Sequence, residues 1–105
     1  YCGVRSGRDV DKWKEMHLTR GKASELEYAP IIEECPVNIE CKVREVQELG
    51  SHHMFLADVV AVHVDDQYMD EKQKFELGMA GLLAYSHGEY YNLGKQFGLF
   101  CEHEA

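Results

Sequence analysis

Apolar and polar residues alternate most regularly from Val37: Val37, Ile39, Cys41 and Val43 take one side, Asn38, Glu40, Lys42 and Arg44 the other. A period of two puts successive side chains on opposite faces of an extended chain, so a strand is predicted. The phase then slips. Val46 has the opposite parity to Val43, which suggests a β-bulge or sharp twist just before the turn. After the turn residues "GSHH", positions 54–64 are apolar in both parities: Met54, Leu56, Val60, Val62 and Val64 on one, Phe55, Ala57, Val59, Ala61 and His63 on the other, with Asp58 the exception. That pattern predicts a hairpin whose second strand is central and covered on both faces.

The flanks are less regular. Val10, Trp13 and Met16 or His17 fall near helical spacing, Asp9 can cap and Gly21 lies past the stop, so a helix of two to three turns is predicted over 9–18, packing through Trp13. Pro30 and Pro36 mark a connector with an extended piece at 28–32. Beyond the hairpin the pattern predicts a short helix near 73–78, a strand at 83–85, a turn at 86–88 and a helix or irregular tail after Tyr90. Tyr85, Tyr90, Tyr91, Phe97 and Phe100 imply packing against something large. The fold class is mainly β, a small barrel or part of one with one or two short helices, in a single domain over 1–105 with a flexible tail at 99–105.

Charge narrows the partners. Eleven Lys and Arg against 19 Asp and Glu give a formal charge of −8, which repels nucleic-acid phosphates and anionic lipid surfaces. No apolar run reaches the length of a membrane span. Cys2, Cys35, Cys41 and Cys101 form no CxxC and follow no secretory signal, so they read as free buried thiols in a reducing cytoplasm. The sequence opens at "YCGVRSG" without an initiator methionine, and a preceding segment is expected.

Candidate chemistry is sparse. Six histidines include no HExxH and no Cys/His pair at finger spacing, so no metal site is expected. Ser51 and Ser86 each precede a histidine and Cys101 lies near His103, but no G-x-S-x-G elbow occurs, and sequence neighbours are not thereby a nucleophile and its base. "GVRSGRD" with Arg5 and Arg8 before a helix could form an anion site or a solvated glycine turn. At the hairpin tip, Gly50 permits close approach and His52 or His53 could donate to a flat heteroaromatic ligand. The same histidines could serve a subunit interface. Both readings stand on the residues alone.

Taken together, "YCGVRSGRDVDKWKE", "APIIEECPVNIECKVREVQELGSHHMFLADVVAVHVDD" and "LLAYSHGEYYNLGK" resemble the C-terminal half of the flavin reductase-like, FMN-binding split-barrel proteins, in the branch that includes flavoredoxin. The resemblance runs over about residues 1–98. It implies a homodimer or higher homo-oligomer of Greek-key split barrels, with FMN near the subunit interface and NADH or NADPH as hydride donor. It places Ser6, Gly7 and Lys12 near the cofactor, Gly50 and Ser51 in the Gly-x-His hairpin with His52 as the catalytic position beside the nicotinamide, and Tyr85, His87 and Tyr90 as further flavin contacts. The family's principal phosphate and ring contacts lie in its N-terminal half, outside this sequence. Ala57 and Asp58 stand where Gly-Glu is usual. The implied function is NAD(P)H-dependent reduction of flavin or another acceptor, in the cytoplasm. The alternative is a non-catalytic split-barrel domain that self-associates and binds no flavin.

Overall fold

A computed structural model describes residues 1–100. Its backbone is a long antiparallel ribbon with shorter elements at either end. In chain order these are α1 (Lys12–Glu15), β1 (Arg20–Gly21), β2 (Ile31–Ile32), β3 (Val37–Glu48), β4 (His53–Val64), β5 (Leu83–Ser86) and β6 (Glu89–Asn92), with 3-10 turns at Asp66–Tyr68 and Leu77–Ala80. The strands form three separate two-stranded antiparallel ladders, β1–β2, β3–β4 and β5–β6. Among the described residues they do not close into a barrel, so the expected barrel is present only as open ladders.

The ribbon explains the phase slip. Its register pairs Glu40 with Ala61 but Cys41 with Val59, leaving Val60 extra on β4, and pairs Val43 with Ala57 but Glu45 with Leu56, leaving Arg44 extra on β3. Each bulge flips the side-chain parity of the strand that contains it. The pairs Val37–Val64, Ile39–Val62, Cys41–Val59, Val43–Ala57 and Val46–Phe55 therefore share one face, while Asn38–His63, Glu40–Ala61, Lys42–Asp58, Glu45–Leu56 and Gln47–Met54 share the other. The Val60 bulge accounts for part of the apolar appearance of β4 in both parities: it brings Val64, Val62, Val59, Ala57 and Phe55 onto one face, while Ala61, Leu56 and Met54 stay on the other. Among the described residues β4 pairs with β3 alone, so within this chain it is not a central strand.

Much of the apolar face is open. Phe55 is 63% exposed and Val59 61%, and only the base of the face, at Val37, Ile39, Val62 and Val64, meets Met69, Phe75 and Leu77 around an open cavity of about 650 Å³. The chain exposes 9580 Å², against about 6,000 Å² for a compact folded chain of its mass. Its radius of gyration, 17.2 Å, exceeds the roughly 13 Å of a compact chain of this length. Ala23 is the one buried apolar side chain among the described residues.

The local elements differ from the sequence expectation for identifiable reasons. The helix expected over 9–18 is the single turn α1, capped by Asp11, whose side chain accepts from the amides of Trp13 and Lys14. His17, at φ 55°, ends it: Leu18 N donates to Trp13 O and His17 N to Lys14 O, a Schellman closure with histidine in the place glycine usually takes. Gly21 is instead a close-approach residue, because a Cβ there would lie 2.8 Å from the Ile31 side chain. The extended piece expected at 28–32 narrows to β2. No α-helix forms at 73–78, where only the 3-10 turn at Leu77–Ala80 overlaps the expected range; Asp70 accepts from the amides of Lys72 and Lys74, Gln73 has φ 64°, and a bridge joins Met69 to Phe75, so a side-chain-capped turn displaces the helix. After the turn, Glu89–Asn92 is strand β6 and not a helix or tail. Positive φ at both His87 and Gly88 fits the two-residue turn that matches strand twist. Cys2, Cys35 and Cys41 are free but exposed, not buried. Cys101 and the expected tail from 101 onward lie outside the described residues. Among the described residues no helix is long and apolar enough to cross a membrane.

Candidate functional site

The residues singled out in the sequence occupy three places. Ser6 and Gly7 belong to the turn before α1, and Lys12 is the first residue of that helix. There Ser6 Oγ accepts from Arg8 N at 3.1 Å and Arg8 Nε at 3.4 Å, and Lys12 Nζ donates to the Cys2 carbonyl at 2.6 Å. Gly7, Arg8, Lys12 and Trp13 line an open cleft of about 520 Å³, together with Asp9, Val10 and Asp11. One Asp11 oxygen is committed to the helix cap. Among the described residues neither Arg8 nor Lys12 forms an ion pair. The Arg20 guanidinium sits 4.4 Å from the Trp13 ring centroid, a cation–π contact that closes one side of the indole.

The second place is the ribbon tip. Gly50 has φ 79°, a conformation that disfavours a side chain, and Leu49 N donates to His52 O at 2.8 Å. Ser51 Oγ lies 2.8 Å from His52 Nδ1; when the hydroxyl donates, His52 Nε2 holds the ring proton and faces solvent as a donor. His53 is also exposed and pairs with Glu48 at 3.7 Å.

The third place is the β5–β6 hairpin. Tyr85 and Tyr90 meet edge to face with centroids 5.4 Å apart, and the turn residue His87 lies between them in the chain. All three are exposed. Of the cavities described here, the cleft at 7–13 includes Gly7 and Lys12, and the other two include none of His52, Gly50, Ser51, Tyr85, His87 or Tyr90.

The most organised cluster went unmarked in the sequence. Glu40 is 3% exposed on the polar face of the ribbon. Its Oε2 accepts from Ser24 N at 2.8 Å and Ser24 Oγ at 3.0 Å, and its Oε1 from Glu25 N at 2.9 Å and Leu26 N at 3.1 Å. His63 Nε2 completes the set with a bond to Oε2. Burial pushes the Glu40 carboxyl up, but the His63 bond and the three amides outweigh it and hold the group well below the usual carboxylate range. Beside it, Asn38 Oδ1 accepts from Ile32 N at 2.9 Å while its amide donates to Ile32 O at 3.0 Å. Glu34 is likewise held below its ordinary value, first by the Thr19 hydroxyl and then by the Thr19 amide. Alternation alone puts Glu40 on the wet side of a strand. Only a bonded partner 14–16 residues earlier makes its burial intelligible. His63 and Asn38 also border a small open cleft of about 240 Å³ with Cys35 and Asp65. Among the described residues no three His, Cys, Asp or Glu side chains are placed to hold a metal ion.

Comparison with known proteins gives a consistent set. An uncharacterised protein of Archaeoglobus fulgidus is 31% identical over 71 residues, covering 68% of this chain and 40% of that protein. The flavoredoxin of Desulfovibrio vulgaris (Miyazaki F) superposes with a TM-score of 0.85 at 23% identity, over 100% of this chain and 56% of its own. The flavoredoxin from Methanosarcina acetivorans gives 0.81 at 30% identity, over 97% of this chain and 54% of its own. The chain thus spans about half the length of these relatives. Residues 1–94 match the flavin reductase like domain, and the chain belongs to that family.

Proposed function

We propose that this chain is the C-terminal portion of an FMN-binding flavin reductase-like split barrel that reduces flavin or another acceptor with NADH or NADPH. The observation that supports this best is the family match across residues 1–94. Bound FMN would supply hydride chemistry; the residues of this chain would bind and orient. Arg8 and Lys12, free of ion pairs among the described residues, fit the anionic phosphate end, with Ser6 and Gly7 shaping the turn. His52, its Nδ1 engaged by Ser51, offers an outward donor suited to a nicotinamide or flavin carbonyl. Tyr85, His87 and Tyr90 would add flat apolar surface and a further polar group. The chain by itself fits one end of the cofactor, and the ring pocket is completed by surface from outside it. A homodimer or higher homo-oligomer would supply such surface and cover the apolar face.

The test is FMN titration of the purified chain followed by NAD(P)H oxidation. Micromolar binding with a flavin visible spectrum is the expected result, and His52→Ala should slow reduction by about 10-fold or more with little change in FMN affinity. Unchanged reduction in His52→Ala removes that role. A second reading, a self-associating domain that binds no flavin, is favoured by the open apolar face and the separation of the three places. It prevails if FMN does not bind at micromolar concentration while the chain self-associates.

A further inference from the structure

The polar face of the ribbon makes a connected series of contacts that ends at the cleft before α1. Glu40 collects all four donors of Ser24, Glu25 and Leu26 together with His63. Those three residues sit in the loop at 22–30 that joins β1 to β2. Asn38, opposite His63 in the register, clamps both backbone groups of Ile32. Ile32 is the cross-strand partner of Arg20, and Arg20 lies over Trp13, a wall of the cleft. The β1–β2 ladder has only two residue pairs, too few to fix its own position. Side chains of the ribbon therefore set where Arg20 stands.

We propose that Glu40, with Asn38 and His63, is a positioning residue: it docks the 19–35 segment on the ribbon and so holds Arg20 over Trp13, fixing the shape of the 7–13 cleft. Glu40 touches no ligand in this scheme. It acts through a chain of bonds in which each link has one main alternative, release to water. Calling the cleft a cofactor site rests on the proposed function; the coupling from Glu40 to Trp13 does not.

Trp13 is the only tryptophan of the chain, so its emission reports the far end of the series without any ligand. Glu40→Gln keeps the shape but replaces one acceptor oxygen with an amide donor that faces the loop's own donors. The 105-residue chain bearing Glu40→Gln should show amide exchange at 24–26 faster by on the order of 10-fold or more, with Trp13 emission shifted to the red and its iodide quenching raised. Arg20→Ala gives the reference signal for an uncovered indole. Asn38→Ala, which breaks the second arm of the docking at Ile32 and leaves the Glu40 bonds in place, should reproduce the Trp13 shift, and its Trp13 readout decides the matter if Glu40→Gln does not fold. Two outcomes overturn the proposal: a folded Glu40→Gln chain whose 24–26 amides stay protected, or either folded variant in which Trp13 keeps the wild-type emission and quenching. Failure of the wild-type chain to bind FMN would sink the functional reading and leave this result intact.

Discussion

The two faces of the β3–β4 ribbon are built from the same twelve-residue strands and behave oppositely. One lines up Val37, Ile39, Cys41, Val43 and Val46 with Val64, Val62, Val59, Ala57 and Phe55, and most of it is bare. The other carries Asn38, Glu40 and His63, and it is where the chain docks a segment of itself. The apolar face offers non-directional attraction, so any apolar surface of the right shape will cover it. The polar face offers bonds of fixed direction, which only one loop conformation satisfies.

The largest effect should come from charging the apolar face. Phe55→Asp combined with Val59→Asp is expected to weaken self-association by about 100-fold or more, since each apolar side chain contributes ~1.5–3 kcal/mol on burial. Lys42→Ser with Asp58→Ser on the opposite face should change it by less than about 3-fold. Sedimentation equilibrium measures both, and equal responses would erase the distinction between the faces.

Acid should release the polar face alone. The Glu40 carboxyl is depressed in the folded chain, so its contribution is complete above the ordinary glutamate value of 4.5 and is lost only as the pH falls through the lower folded value. Trp13 emission and the protection of the 24–26 amides relative to their intrinsic exchange rates should therefore hold steady from neutral pH down past 4.5. A transition at or above that value would show that the bonds to Glu40 do not favour its charged form.

Turn glycines give intermediate effects, independent of either face. Gly50→Ala and Gly88→Ala force an L side chain to φ 79° and 81° and should each cost about 1 kcal/mol, read as loss of cross-strand amide protection in the ladder each turn closes. Smallest of all is Arg44→Ala. The Arg44–Asp58 pair, 3.6 Å apart and open to solvent on both sides, should contribute no more than about 0.5 kcal/mol in chemical denaturation.

The hairpin and its bulge were legible because alternation is a local signal: a single parity change between Val43 and Val46 announces an extra residue. The second bulge, at Val60, was not. In a strand apolar at nearly every position, a parity flip leaves no mark, and the same residues read as a strand covered on both sides. The helix at 9–18 failed for a related reason. Its stop is His17, a residue that favours the left-handed conformation only modestly, and nothing nearby in sequence marks it. Gly7 and Lys12 line one cleft, and Ser6 lies next to it in the chain without lining it; the tip residues and the β5–β6 tyrosines are not drawn to it by this chain.

From the sequence alone follow the strands that alternate, the turns that need glycine, the net charge, and the ordered motifs that mark the flavin reductase-like family. All depend on residues a few positions apart or on their order. Tertiary structure alone decided which face each residue took after two bulges, and that Glu40 would be buried. Its partners lie 14–16 residues before it and 23 after, and a carboxylate leaves water only where that many donors converge.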